Sequence, residues 1–388
     1  MMGVLFAAAL AGCALDPVGA LPKYGSRYAA QGDALPPVAP GTITDSRYWI
    51  VRFADYSKLD SHLLVTICPA VKEVGCTLNR LRVPTAPPWR GVWEPLPGLK
   101  SPRHVSYNDA IYLPNDEGIL AAEIHCPESD CTKAVSRIVH LDKEGRHLRY
   151  LSGMANRRLP SFHPKHGLLY VGTQARADLI AGREGGSWEV YSRGFEDGAP
   201  ERRITDFNSL SPFGAAPLYT PDGTVLWGAV ALVKDSRNVD FNELGLPPGG
   251  TNLHGVFEID PATGSIRNFA PTGKREFMIS GLVDDGKRYV YVEGERTPVP
   301  SNSNPNRMIL QTQWRLGEFG KPKSEHRILT SLGSGLILHL RLSPDKLRVA
   351  ECCPYGAVQV QSVSRPGMGP QLSPSLEKPP FMPVVTPE

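Results

Sequence analysis

The sequence predicts an all-β fold, a β-propeller of four-stranded blades, and three observations predict it. Glycine (38) and proline (37) are plentiful and spread along the 388 residues, which favours many short strands and turns over long helices. No amphipathic stretch of helical period exceeds about a dozen residues. One segment also recurs: a short apolar strand, a polar turn, then a second strand rich in Val, Leu, Tyr and Ala. The hydrophobic fraction of 41% suffices for a large core, and the net charge of +3 gives no sign of the clustered basic surface that nucleic acid requires.

The chain opens with a short apolar run, Val4 to Ala11. It is too short to span a bilayer and has the length of a signal-peptide core. Leu10-Ala11-Gly12-Cys13 follows. This motif resembles the lipobox of bacterial lipoproteins, in which small residues fit the peptidase groove and the thiol accepts the lipid. The resemblance implies that residues 1–12 are a signal peptide and that Cys13 is the lipidated mature N-terminus, held at a membrane surface. The segment before the motif has no Lys or Arg, a departure from the usual pattern. Ala14 after the cysteine implies, within that family, the outer membrane, with the domain expected on the periplasmic side. Residues 13–46 then read as a flexible tether rich in Pro, Gly and Ala.

The recurring unit spans residues 47–363. Its copies are Val51–Cys68, Ala110–Cys126, Pro160–Thr173, Pro217–Val230, Ser280–Gly294 and Leu340–Cys353. Aligned on the turn, they lie about 50 to 63 residues apart. Between them come hairpins such as Ser136–Leu151, around Asp-Lys-Glu-Gly, and Val256–Pro271, around Asp-Pro-Ala-Thr-Gly. Turn, strand, loop and hairpin make four strands per repeat, the content of a propeller blade. Six copies argue for six blades, with seven the alternative. The turns Ser343-Pro344-Asp345-Lys346, Thr220-Pro221-Asp222-Gly223 and Asp284-Asp285-Gly286-Lys287 have a local logic. Pro presets φ, Asp bonds its own backbone, and Gly takes the left-handed region. They also resemble the turns of the TolB-like propellers, including those of prolyl oligopeptidase-type enzymes. No outer strand is evident after Val363, so either Tyr24–Ala30 or Phe381–Val385 is expected to close the last blade. Residues 364–388, with seven prolines, read as an extended tail.

Six cysteines remain besides Cys13. Cys68 with Cys76, and Cys126 with Cys131, sit at the same place in successive repeats, each across a loop joining second to third strand. In an oxidising compartment both are expected to bridge. A metal site at Cys126 and Cys131 with His125 is the rival reading, and it lacks a second matched ligand pair. Cys352 and Cys353 hold the same position in the last repeat, where a vicinal bridge, two thiols or an outside partner all stay open.

The second-to-third-strand loops share one face of a propeller with the links between blades. Here they are long in the middle blades: Thr173 to Ser187, Val233 to His254 and Glu293 to Arg307. Long loops on a rigid scaffold carry function. The binding candidates on them are Arg176, Asp178, Arg183, Arg237, Asp240, Phe241, Asn242 and Arg296.

No catalytic signature stands out. Gly333-Ser334-Gly335 lacks the strand–turn–helix setting of a nucleophile elbow. His163-Pro164-Lys165-His166 falls in a turn without a third metal ligand, and Asp284-Asp285-Gly286 reads as a turn, not a calcium loop. Trp227, Tyr289 and Tyr291 read as packing residues. The expectation is a non-catalytic envelope lipoprotein that binds protein partners or acts as a scaffold, without cofactor, metal or nucleic acid. The alternative is an envelope hydrolase or lyase with its site at the mouth of the propeller channel, where catalytic residues come from separate blades and leave no local motif. Small-ligand sensing is a third possibility.

Overall fold

The computed structural model describes residues 49–372 apart from position 58 and the segments 60–61, 70–75, 83–91, 101–104, 127–133, 174–187, 208–215, 234–250, 272–275, 284–286, 299–307, 333–338, 343–347, 353–357 and 363–370. These residues form six four-stranded antiparallel sheets, each a meander of consecutive strands. The architecture is a β-propeller. The first sheet holds β1 (Trp49–Tyr56), β2 (His62–Pro69), β3 (Thr77–Arg82) and β4 (Val92–Pro95). The second holds β5 (Val105–Tyr112), β6 (Gly118–His125), β7 (Val135–Asp142) and β8 (His147–Tyr150). The third runs β9 (Arg157–His163), β10 (Gly167–Thr173), β11 (Trp188–Arg193) and β12 (Arg202–Arg203). The fourth runs β13 (Leu218–Tyr219), β14 (Val225–Val233), β15 (Thr251–Ile259) and β16 (Ile266–Pro271). The fifth has β17 (Glu276–Val283), β18 (Arg288–Pro298), β19 (Met308–Glu318) and β20 (Arg327–Leu332), and the sixth β21 (His339–Leu342), β22 (Arg348–Cys352), β23 (Val358–Ser362) and β24 (Gln371–Leu372).

Burial explains the sequence pattern. In the second sheet β5 is buried throughout and β6 all but so; β6 reads as a mostly apolar run, while β5 buries Ser106, Asn108 and Asp109 among its apolar residues. β7 alternates half-buried with buried residues, and the outermost β8 is mostly exposed. First strands of neighbouring sheets pack on one another, β1 on β5, β5 on β9 and β17 on β21. β1 also meets β21 and β22, which joins the first sheet to the last. The core between the third and fourth sheets gathers Tyr170, Phe207, Trp227, Phe257 and Phe269. Tyr289 and Tyr291 pack with Leu226 and Val256 between the fourth and fifth. The packing roles read for Trp227, Tyr289 and Tyr291 agree with their full burial.

One boundary moves. The outer strand of the sixth sheet is β24, where Val358 pairs with Leu372 and Gln359 with Gln371. It lies past Val363, inside the segment read as tail. Two edge residues carry no periodicity, so nothing local marked them. The two segments expected to supply that strand, Tyr24–Ala30 and Phe381–Val385, lie outside the described residues, as do Cys13 and its lipobox.

Candidate functional site

The joints between sheets are built from buried polar groups. Between the first two sheets the Tyr112 amide donates to Asp55 Oδ2 at 2.9 Å, and the His62 ring contacts the Tyr112 hydroxyl at 2.8 Å. Between the second and third, Arg158 Nε donates to Asp109 Oδ2 at 2.6 Å and the Leu159 amide donates to the same oxygen at 3.2 Å. Ser161 Oγ donates to the Pro217 carbonyl of the fourth sheet. The Gly320 amide of the fifth donates to both Glu258 oxygens at 3.1 Å. Asp109 and Leu159 have φ of 53° and 52°, and the register of both inner strands shifts there. Left-handed backbone in a buried Leu costs of order 1–3 kcal/mol and persists only where surroundings hold it. Here the shared Asp109 oxygen holds both bulges.

The two ends of the sheets differ. First-to-second-strand connections are tight, as at residues 164–166 and 220–224. In the latter, Asp222 accepts from the Thr224 amide at 3.2 Å and Gly223 takes φ +93°, the turn chemistry its sequence implies. At the other end the second-to-third connections of the third and fourth sheets are residues 174–187 and 234–250.

Seven of the eight sequence-derived binding candidates, Arg176, Asp178, Arg183, Arg237, Asp240, Phe241 and Asn242, fall in those two segments, outside the described residues. Arg296 is a correction. It lies in β18, opposite Leu310 of β19, not in a loop. The β18–β19 ladder continues to Pro298, and the Ser/Asn/Pro-rich stretch that breaks it starts only afterwards. The fourth-sheet loop is likewise shorter than read, because Thr251–His254 already pair with β14.

Of the cysteines, Cys76 is disulfide-bonded and fully buried. Cys68, its expected partner, ends the apolar run of β2. Cys126 is buried directly after β6, while Cys131 and Cys353 are outside the described residues. Cys352 is the last residue of β22.

Sequence reasoning missed a side-chain row on the second sheet at the long-loop end. Tyr107, Glu123 and Arg137 stand opposite one another on β5, β6 and β7. Glu123 Oε1 accepts from Arg137 Nε at 2.8 Å and contacts His125 Nε2 at 2.6 Å. The Arg137 guanidinium lies 3.3 Å from the Tyr150 ring centroid. Burial opposes ionisation of Glu123, and the bonds from His125 and Arg137 overcome it, holding the carboxyl below its ordinary range. Burial and Glu123 together push the Tyr107 phenol up. The available signal was two polar residues at i and i+2 in an otherwise apolar strand. The third sheet repeats the theme: Arg157 Nε donates to Glu201 at 3.0 Å, and its guanidinium lies 4.1 Å from the Tyr191 ring centroid. Among the described residues no group of three or more His, Cys, Asp or Glu is placed to hold a metal ion.

No family model matches the chain, and no curated protein matches it. Solved structures do. Puromycin hydrolase, as an S511A mutant complexed with PGG, is 12% identical with a TM-score of 0.46; the match covers 86% of this chain and 48% of that one. The chain thus spans about half the length of that hydrolase. The β-propeller domain of Cps50 (Swd1) from Myceliophteria thermophila is 11% identical, with a TM-score of 0.44 and coverage of 81% and 96%. An oligogalacturonate lyase in complex with manganese is 13% identical, with a TM-score of 0.44 and coverage of 84% and 77%.

Proposed function

We propose that this protein is a non-catalytic lipoprotein of the cell envelope whose propeller binds a protein partner through its long-loop end. In this reading Cys13 carries the lipid, residues 13–46 form the tether, and the ring faces the periplasm from the outer membrane. The observation that carries it is the asymmetry of the sheets. One end is closed by tight turns such as 220–224, whereas the other bears the connections 174–187 and 234–250. Variable loops on a rigid frame suit recognition. The turn chemistry at Thr220–Gly223, similar to that of TolB-like propellers, is consistent with this reading by analogy of fold alone. The test is native mass spectrometry of the full chain extracted gently from its own membranes, beside a variant with 234–250 replaced by a short Gly-Ser turn. A lipidated chain with a stoichiometric protein partner, lost in the variant, is expected. A solitary chain, or a partner unaffected by the replacement, would overturn the proposal.

The second reading, a hydrolase or lyase at the same end, has one observation in its favour. The His125–Glu123 contact of 2.6 Å pairs a carboxylate with a ring that is 34% exposed, an arrangement able to move a proton. Turnover of an ester or glycan that His125→Asn abolishes without changing thermal stability would favour it.

A further inference from the structure

A groove of about 370 Å³ opens at the tight-turn end, between the third and fourth sheets. It is away from the long loops and within the size range of small-molecule sites. His166 enters it from the β9–β10 turn, Tyr219 and Asp222 from the start of the fourth sheet, Asp260 and Arg267 from the β15–β16 hairpin, and Arg202 from the edge strand β12. We propose that this groove binds a small zwitterion, a free amino acid or a dipeptide with an aromatic side chain.

Three features support this assignment. First, the charges are balanced: the lining holds two guanidinium groups and two carboxylates, of which Arg267 and Asp260 are paired. Asp222 is held below its ordinary range chiefly by the Thr220 hydroxyl, and Asp260 chiefly by Arg267. Both are therefore anionic at neutral pH. A cleft lined by both signs of charge and carrying no net charge matches a ligand of the same kind better than it matches a simple anion or cation.

Second, one pole is uncommitted. Arg267 Nη2 donates to Asp260 Oδ2 at 2.7 Å and its Nη1 donates to Thr224 Oγ1 at 3.1 Å. Arg202, by contrast, has no hydrogen-bond or ion-pair partner among the described residues, and it stands beside Tyr219. Its planar fork suits a carboxylate. The free lone pairs of the two aspartates then receive the ammonium.

Third, the groove has a ring platform. The His166 and Tyr219 rings lie 5.3 Å apart at 42°. His166 is fixed by its Nε2 contact to the Pro221 carbonyl at 3.1 Å and by stacking on His163 at 4.7 Å. Gly223 keeps this surface open, because a Cβ there would meet the His166 ring at 3.1 Å.

The test is calorimetric titration of the full chain with L-phenylalanine and with glycyl-L-phenylalanine, which distinguish amino acid from dipeptide. L-Phenylalaninamide lacks the carboxylate and N-acetyl-L-phenylalanine lacks the ammonium. At least one zwitterion should bind, with both blocked analogues at least about tenfold weaker. Arg202→Gln should abolish binding, and Arg202→Lys should restore part of it, both with an unchanged melting temperature, since Arg202 is exposed on an outer strand. Failure of both zwitterions to bind at about 10 mM, far weaker than working binding sites, would overturn the proposal. Equal affinity for a blocked analogue, or an Arg202→Gln variant that binds normally, would overturn it too.

Discussion

Removing the charge of Asp109 tests whether the ring is held by its polar joints. The Asp109 and Arg158 side chains are 2% and 10% exposed and meet at 2.6 Å. Asp109→Asn keeps an acceptor for the Leu159 amide and tolerates the left-handed backbone, so the change isolates the charge. Arg158 then faces a neutral amide where the buried carboxylate of Asp109 stood. Charges about 4 Å apart at an effective dielectric of about 20 interact by roughly 4 kcal/mol, and breaking buried pairs one-sidedly costs about 3–5 kcal/mol. That is a large share of a typical stability of about 5–15 kcal/mol. The double variant Asp109→Asn/Arg158→Met removes both charges and should recover most of the loss. The assay is urea unfolding of the three proteins, with stability read from the midpoint at constant slope. A loss below about 1 kcal/mol in Asp109→Asn, or no recovery in the double variant, would refute the argument that the pair acts as a unit.

Three further outcomes follow from the same geometry. A Cβ at Gly172 would stand 2.6 Å from the Arg157 guanidinium; Gly172→Ala should lower stability by about 1–3 kcal/mol, and Arg157→Met in the same chain should relieve most of it, read by thermal melting. Glu123 and Glu258 should respond to pH with opposite signs. Glu123 is depressed in the folded chain, so its contribution is present above the unfolded pKa and is lost as pH falls through the folded one; Glu123→Gln should cost about 1–3 kcal/mol at pH 7 and nothing in strong acid. Glu258 is raised by burial, against its bonds from Asn268 and Gly320, so its contribution is full below the unfolded pKa and fades as pH rises; Glu258→Gln should gain on the parent from about pH 4.3 upward, in paired unfolding curves. Cys76→Ser should cost about 2–4 kcal/mol, and peptide mapping without reduction should recover Cys76 joined to Cys68.

The second strands were legible because burial on both faces made β6 and β10 mostly apolar runs. The turn at 220–224 was legible because its Pro, Asp and Gly act within five residues. β9 was only half legible. Its first residues are Arg157 and Arg158, both buried, and what permits that burial is Glu201 and Asp109, distant in sequence. The Glu123–Arg137 row was hidden for the same reason, since its members meet only once the register of β6 and β7 is set. Arg296 was misplaced because a strand can outlast its apolar pattern when its partner is equally long, as β19 is. The groove beside Arg202 draws on four separate turns and strands, and no spacing rule links them.

Among the described residues each sheet is a run of consecutive strands, and the last takes none from the first. Among the described residues the seam where β1 meets β21 and β22 is a packing contact between sheets, as at the other joints. In such an arrangement a duplication or deletion of one whole repeat would leave the remaining described ladders intact, while the polar joints on either side of the change would have to form anew.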